Sequence, residues 1–252
     1  MYTLKKWIAY LQADQARDIY PTTPLAPNTT RMIRLLPQQE EHSSNTPIKC
    51  ELFDYHLSEP SGGEKHIYEA LSYVWDSELP SQSITLNGHA FLVTGNLHAA
   101  LWHLRDRQLE RVLWVDALCI NQADSGEKER QLPLMRTIYA QAARVVVWLG
   151  PPLDLCGDEA LRNIRLLARA RARGRRPAPR DVVGKEYEGC VMVLRRDWFR
   201  RIWVRVSGFF SCNQGCGDAY VCTTLTCGNG PSRYSRKWAL HDLWSSCADR
   251  SR

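Results

Sequence analysis

Asp116, Asn121 and Gln122 place a carboxylate and two amides just past an apolar run, and they are the side chains best suited to hold a polar ligand. That run, Leu113-Trp114-Val115, reads as a strand ending in a polar turn. A second, aromatic strand, Tyr68 to Trp75, puts Ser72, Tyr73 and Trp75 near its own carboxyl end. Parallel α/β sheets bind ligands outside the carboxyl ends of their strands. If the two strands are neighbours, these residues form a pocket for a ribose and a flat base. A plainer use competes: Asp116 and Asn121 hydrogen-bond the turn backbone, while Trp75 and Trp114 are core. Residue types alone leave both readings open.

Cys119 could act as a nucleophile with His98 or His103 only if folding brought them together. Its neighbours Leu118 and Ile120 point instead to an inert buried thiol. Glu127 stands three residues after Asp124, a capping-box spacing with Asp in place of the usual Ser or Thr. An acid in a helix's first turn also suits the helix dipole. No Gly-rich phosphate loop and no His-Glu-x-x-His pair occurs, and no metal site is expected.

The elements that must position these groups follow from periodicity. Residues 1 to about 30 read as a short helix and a Pro/Thr-rich linker. Strands are expected over Arg31–Leu36 and over Ile48–Tyr55, the latter alternating with period two. Asn87-Gly88 marks a tight hairpin between Ile84 and Val93. Asn96 is the expected cap of a helix carrying Leu97, Ala100, Leu101 and Leu104. A helix from about Gly126 to Ala143, with Leu132, Met135, Ile138, Tyr139 and Ala142 on one face, then leads to the strand Val145–Gly150. Strand, helix and strand in succession favour a right-handed parallel crossover, hence an α/β fold with a mainly parallel sheet, flanking helices and an added β-hairpin.

At 252 residues and 44% hydrophobic, the chain can bury a real core. The N-terminus is too short and polar for a signal peptide, and no run approaches the ~20 apolar residues of a membrane helix. A soluble cytoplasmic protein with mostly reduced thiols is expected. The net charge of +6 is concentrated in eight arginines between Arg162 and Arg180, with no acid among them. No aromatic residue interleaves with them and Gly174, Pro177 and Pro179 interrupt them, so a solvated helix end and loop is favoured over a nucleic-acid patch.

Six ordered blocks resemble the fungal heterokaryon incompatibility (HET) domain. They are Tyr68–Trp75; Asn96, Leu97, Ala100 and Leu101; Leu113–Gln122; Glu127, Lys128, Gln131, Leu132, Met135, Ile138, Tyr139 and Ala142; Val145–Gly150; and Arg196–Trp203. The resemblance implies a domain over 31–205, with core motifs at 68–150 and a closing block at 195–204. Two departures stand out. The family's Gly after the strand-end Trp is Asp76, and the Gln-Glu expected after the closing block is replaced by Arg205-Val206-Ser207-Gly208. Five of the nine cysteines, Cys212, Cys216, Cys222, Cys227 and Cys247, follow, without the C-x2-C knuckles common in zinc sites. Residues 206–252 are therefore read first as translated intron or shifted-frame sequence, with a divergent tail and a metal-binding tail as alternatives.

The resemblance implies an effector of non-self recognition and programmed cell death, acting through protein partners or self-association, with no specific nucleic acid target and no membrane span. HET domains have been likened to TIR domains, some of which cleave NAD with a helix glutamate. On that analogy Glu127 or Asp116 is the catalytic acid, Ser72, Tyr73, Trp75, Asn121 and Gln122 bind, and NAD is a substrate rather than a cofactor. A non-functional truncated fragment is the third reading.

Overall fold

The computed structural model describes residues 16–38, 46–57, 66–75, 79–151, 191–193, 195–200 and 219–222. The chain divides into two compact units, 1–145 and 146–252. The first carries strands β1 (Thr29–Leu35), β2 (Lys49–His56), β3 (Glu69–Ser72), β4 (Gln82–Leu86), β5 (His89–Val93) and β6 (Arg111–Trp114). Besides helical residues at 16–19, its helices are α1 (Gly95–Leu104), the single turn α2 (Asp116–Cys119), α3 (Ser125–Gln131) and α4 (Met135–Gln141). The division between units falls within β7 (Arg144–Trp148). In the second unit, a 3-10 turn covers Asp197–Arg200 and a short strand β8 covers Ala219–Cys222.

The strands of the first unit lie in the order β5-β4-β2-β1-β6-β3. This is an α/β sheet, but a mixed one, where the sequence favoured a mainly parallel sheet. β1 pairs antiparallel with both β2 and β6, and β4 with β5, while β2–β4 and β3–β6 are parallel. The difference arises at β1. It inserts between β2 and β6 through pairings such as Ile33 with Leu113, too distant in sequence for local periodicity to register.

The added hairpin forms as expected. Asn87 and Gly88 both take positive φ, 51° and 84°, as a two-residue turn between right-twisted strands requires. The Asn87 side chain also accepts from Leu52 N at 2.7 Å, tying the turn to β2. A Cβ at Gly88 would meet nothing within 4 Å, so Gly88→Ala should cost only the left-handed backbone penalty, about 1–2 kcal/mol. A fall of that size in a urea melt, with the slope unchanged, is the expected result.

Two local expectations differ from what folds. Thr94, not Asn96, caps α1: its hydroxyl accepts from Leu97 N at 3.3 Å. Asn96 instead donates to Val74 O at 2.8 Å, fixing the chain that leaves β3. The long helix expected over 126–143 is broken into α3, a 3-10 turn (Leu132–Leu134) and α4. Pro133 is the physical reason, since it lacks an N–H and its ring crowds the preceding turn. The break turns Leu132 outward, 56% exposed, and Gln131 inward.

The core of the first unit holds Met32, Ile33, Leu35, Tyr68, Ala70, Leu71, Leu113, Trp114 and Ile138. Tyrosines lock the sheet to α4: Tyr68 Oη donates to Ile138 O at 2.6 Å, and Tyr139 Oη to Leu71 O at 3.0 Å. At the far end of β3, the buried Glu69 carboxylate pairs with both Arg111 and Arg144. Residues 1–15, Asp76, the arginine stretch 162–180, the end of the closing block and, apart from Ala219–Cys222, the Cys-rich tail lie outside the described residues.

Candidate functional site

β3 and β6 are parallel neighbours, with Glu69 opposite Leu113 and Ala70 opposite Trp114. Their carboxyl ends therefore lie side by side, and the residues that follow each strand meet. Trp75 Nε1 donates to Asp116 Oδ2 at 3.0 Å. Asp116 Oδ1 accepts from Ala117 N at 2.8 Å, so the carboxylate holds both its own turn and the indole. Gln122 Nε2 donates to the Asp116 carbonyl at 2.9 Å, closing the turn from the other side. Trp75 remains 47% exposed, an aromatic face fixed by a hydrogen bond rather than by burial.

The other sequence-predicted residues sit around this group in different ways. Ser72 ends β3 and is half-buried, while Tyr73 is buried in the core. Asn121 uses its side-chain oxygen on Ala123 N at 3.1 Å, the turn-backbone role weighed for it. Trp114 is core: fully buried, with Nε1 donating to Thr30 Oγ1 at 3.2 Å. Cys119 is buried as well, with Sγ accepting from Val115 N at 3.3 Å.

Asp124 caps α3 as its spacing predicts, accepting from Glu127 N at 3.1 Å. The Glu127 side chain, however, does not complete the box. It is buried and meets the Arg31 guanidinium in a two-point contact, Nη1 to Oε1 at 2.6 Å and Nη2 to Oε2 at 3.1 Å. Oε1 also accepts from Asn121 N at 2.7 Å. Arg31 is 2% exposed, so the pair is withdrawn from water, where such pairs depend on close geometry.

More polar contacts are made to Arg31 and to the start of its strand. The Tyr20 ring lies against its guanidinium, 5.1 Å from carbon to ring centroid, and Tyr20 Oη donates to Leu118 O at 2.8 Å. Gln131, one helical turn beyond Glu127, donates to Thr29 O at 2.8 Å. Sequence reasoning passed over Arg31, Tyr20 and Gln131. The one signal for Arg31 was a cation in a strand that also holds Met32, Ile33 and Leu35, with no hint of which distant carboxylate would meet it.

Burial sets the chemistry of the thiols. It pushes Cys119 from 9.0 up to about 12, and Cys50 likewise to about 12. A thiol that resists ionising when folded but ionises freely when unfolded stabilises the fold below pH 9.0. That contribution is lost as pH rises from 9.0 towards about 12. The urea midpoint should fall across that window. In native protein Cys119 should resist alkylation that it accepts after unfolding, read by peptide mass spectrometry.

A sequence model of the family described as Heterokaryon incompatibility protein (HET) matches residues 68–205. That is more than half of the chain, and it contains β3, β6, Asp116, Trp75 and Glu127. The chain belongs to the HET family. Its similarity to Heterokaryon incompatibility protein 6, OR allele, of Neurospora crassa is 38% identity over 148 residues, covering 54% of this chain and 21% of that protein. The chain thus spans about a fifth of that relative's length. No solved structure matches it. The HET match begins at residue 68, so the family's motif supplies Glu127 while Tyr20 and Arg31 lie ahead of the match. No helix among the described residues is long and apolar enough to cross a membrane.

Proposed function

We propose that this HET-family chain is a cytoplasmic effector of non-self recognition in a fungus, and that its action ends in programmed cell death. In this reading it works through a protein partner or self-association, without a specific nucleic acid target. Membership over residues 68–205 and the incompatibility protein it resembles support that role. The working domain is taken as 31–205, with 206–252 a tail of separate origin.

The observation that carries the site is Trp75. An exposed indole held by Asp116 is a large contact face already set before docking, so little freedom is lost on binding. Tryptophan is also among the residues that most often dominate binding energy at interfaces. Asp116 and Gln122 supply a polar border, Asn121 shapes the turn behind it, and Ser72 and Tyr73 belong to the end of β3 that leads to Trp75.

The rival is a TIR-like enzyme cleaving NAD or a related nucleotide. It is favoured by the position of Trp75 and Asp116 at the carboxyl ends of two parallel strands, where α/β sheets take nucleotides. Of the two candidate acids, Glu127 already has its charge engaged by Arg31, whereas Asp116 adjoins an exposed ring. Asp116 is therefore the acid assigned to that chemistry, stabilising an oxocarbenium-like centre.

Induced expression in a fungal host, at matched soluble levels, separates the readings. The effector reading expects growth arrest by the wild type, loss of arrest in Trp75→Ala, and unchanged cellular NAD. A fall in NAD that Asp116→Asn abolishes would establish the enzyme. Absence of arrest by the wild type would leave an inert fragment and overturn the effector reading.

A further inference from the structure

We infer that Tyr20 and Arg31, which precede the region matched by the family, are positioning residues for the turn that carries Asp116. The inference rests on the reading of the Trp75–Asp116 surface as the working site. α2 is a single turn of four residues with no side-chain bond at its N-cap, too short to hold its own geometry. Asp116 and Gln122 close the turn by bonds within it, and a further constraint from outside must fix it to the sheet.

Two residues on or ahead of β1 impose it. Tyr20 Oη donates to Leu118 O at 2.8 Å, and Arg31 Nη1 donates to Cys119 O at 3.5 Å. Arg31 also orients Glu127, whose Oε1 takes Asn121 N at 2.7 Å. Backbone positions 118, 119 and 121 are thereby held from residues 20 and 31. Asp116 opens the same turn and holds the Trp75 indole. β1 is an interior strand, paired on both edges, so the anchor itself is rigid. A guanidinium fork fixes the carboxylate in direction as well as distance, which an ammonium cannot do.

The test uses the full chain with Arg31→Lys, which keeps the charge and loses the fork. Hydrogen exchange of the Asn121 amide should quicken about tenfold, while the β4–β5 hairpin keeps its protection and circular dichroism stays native. Growth arrest should be lost. Unchanged exchange over 118–121 in a folded Arg31→Lys protein would overturn the inference. So would arrest that persists in Arg31→Lys although Trp75→Ala abolishes it.

If Arg31→Lys fails to fold, Tyr20→Phe removes only the hydroxyl. Faster exchange confined to 118–121 then supports positioning, and no change or a global rise overturns it. Should Trp75→Ala arrest growth as well as the wild type, the working-site reading has failed. Exchange then decides the positioning role alone.

Discussion

Arg31→Met is expected to lower stability by about 3–5 kcal/mol, because it leaves the Glu127 carboxylate buried without its counter-charge. The urea midpoint should fall accordingly, and the protein should become a poor folder at low micromolar concentration. The double replacement Arg31→Met with Glu127→Leu should recover most of the loss, since a well-packed apolar pair avoids burying charge altogether. It should not recover all of it. Asn121 N–H, part-buried, loses its acceptor in the double variant, at a cost towards the lower end of the about 1–3 kcal/mol of an unmet donor. A loss under about 1 kcal/mol in the single variant would mean that no buried charge is left behind.

Trp114→Ala should be comparably damaging. The side chain is fully buried on β6, meets Tyr139 edge-on at 5.4 Å, and bonds Thr30 through its indole N–H. Emptying such a site costs about 3–5 kcal/mol, and the Thr30 hydroxyl loses its donor as well. Trp114→Phe keeps an aromatic contact with Tyr139 and should lie between the two in a guanidinium melt. Near-equal midpoints for Phe and Ala would assign the loss to the hydrogen bond rather than to packing.

Both residues show what was legible beforehand. Trp114 lies in an apolar run, and its place in the core was one of the two readings that the sequence left open. The Asn87-Gly88 turn and the Asp124 cap were readable, because each acts within four residues and depends on residue type. The convergence of Trp75 with Asp116 was readable conditionally, once the strands were taken as neighbours. Arg31 was not, since its carboxylate lies 96 positions away and no local pattern couples a β-strand cation to a helix acid. The helix break at Pro133 carried a clear local signal, and the apolar spacing of Leu132, Met135 and Ile138 outweighed it. Gln131, a polar residue turned inward at that break, then binds Thr29 O on the same strand as Arg31.

The interior place of β1 also sets a timetable for synthesis. Its edge towards β6 can be satisfied only when Leu113, 80 positions beyond Ile33, has left the ribosome. At ~5–20 residues per second that is a wait of roughly 4–16 s, during which β2, β4 and β5 can assemble on one side of β1 while its other edge stays open. An open edge of unpaired N–H and C=O groups is a template for pairing with another chain. The nascent chain therefore leaves the open edge of β1 to its surroundings before Glu127, which grips Arg31 in the finished fold, even exists. A translation pause after Leu113 would relieve this exposure. One placed before it would prolong the stage at which holdase chaperones and aggregation compete for the chain.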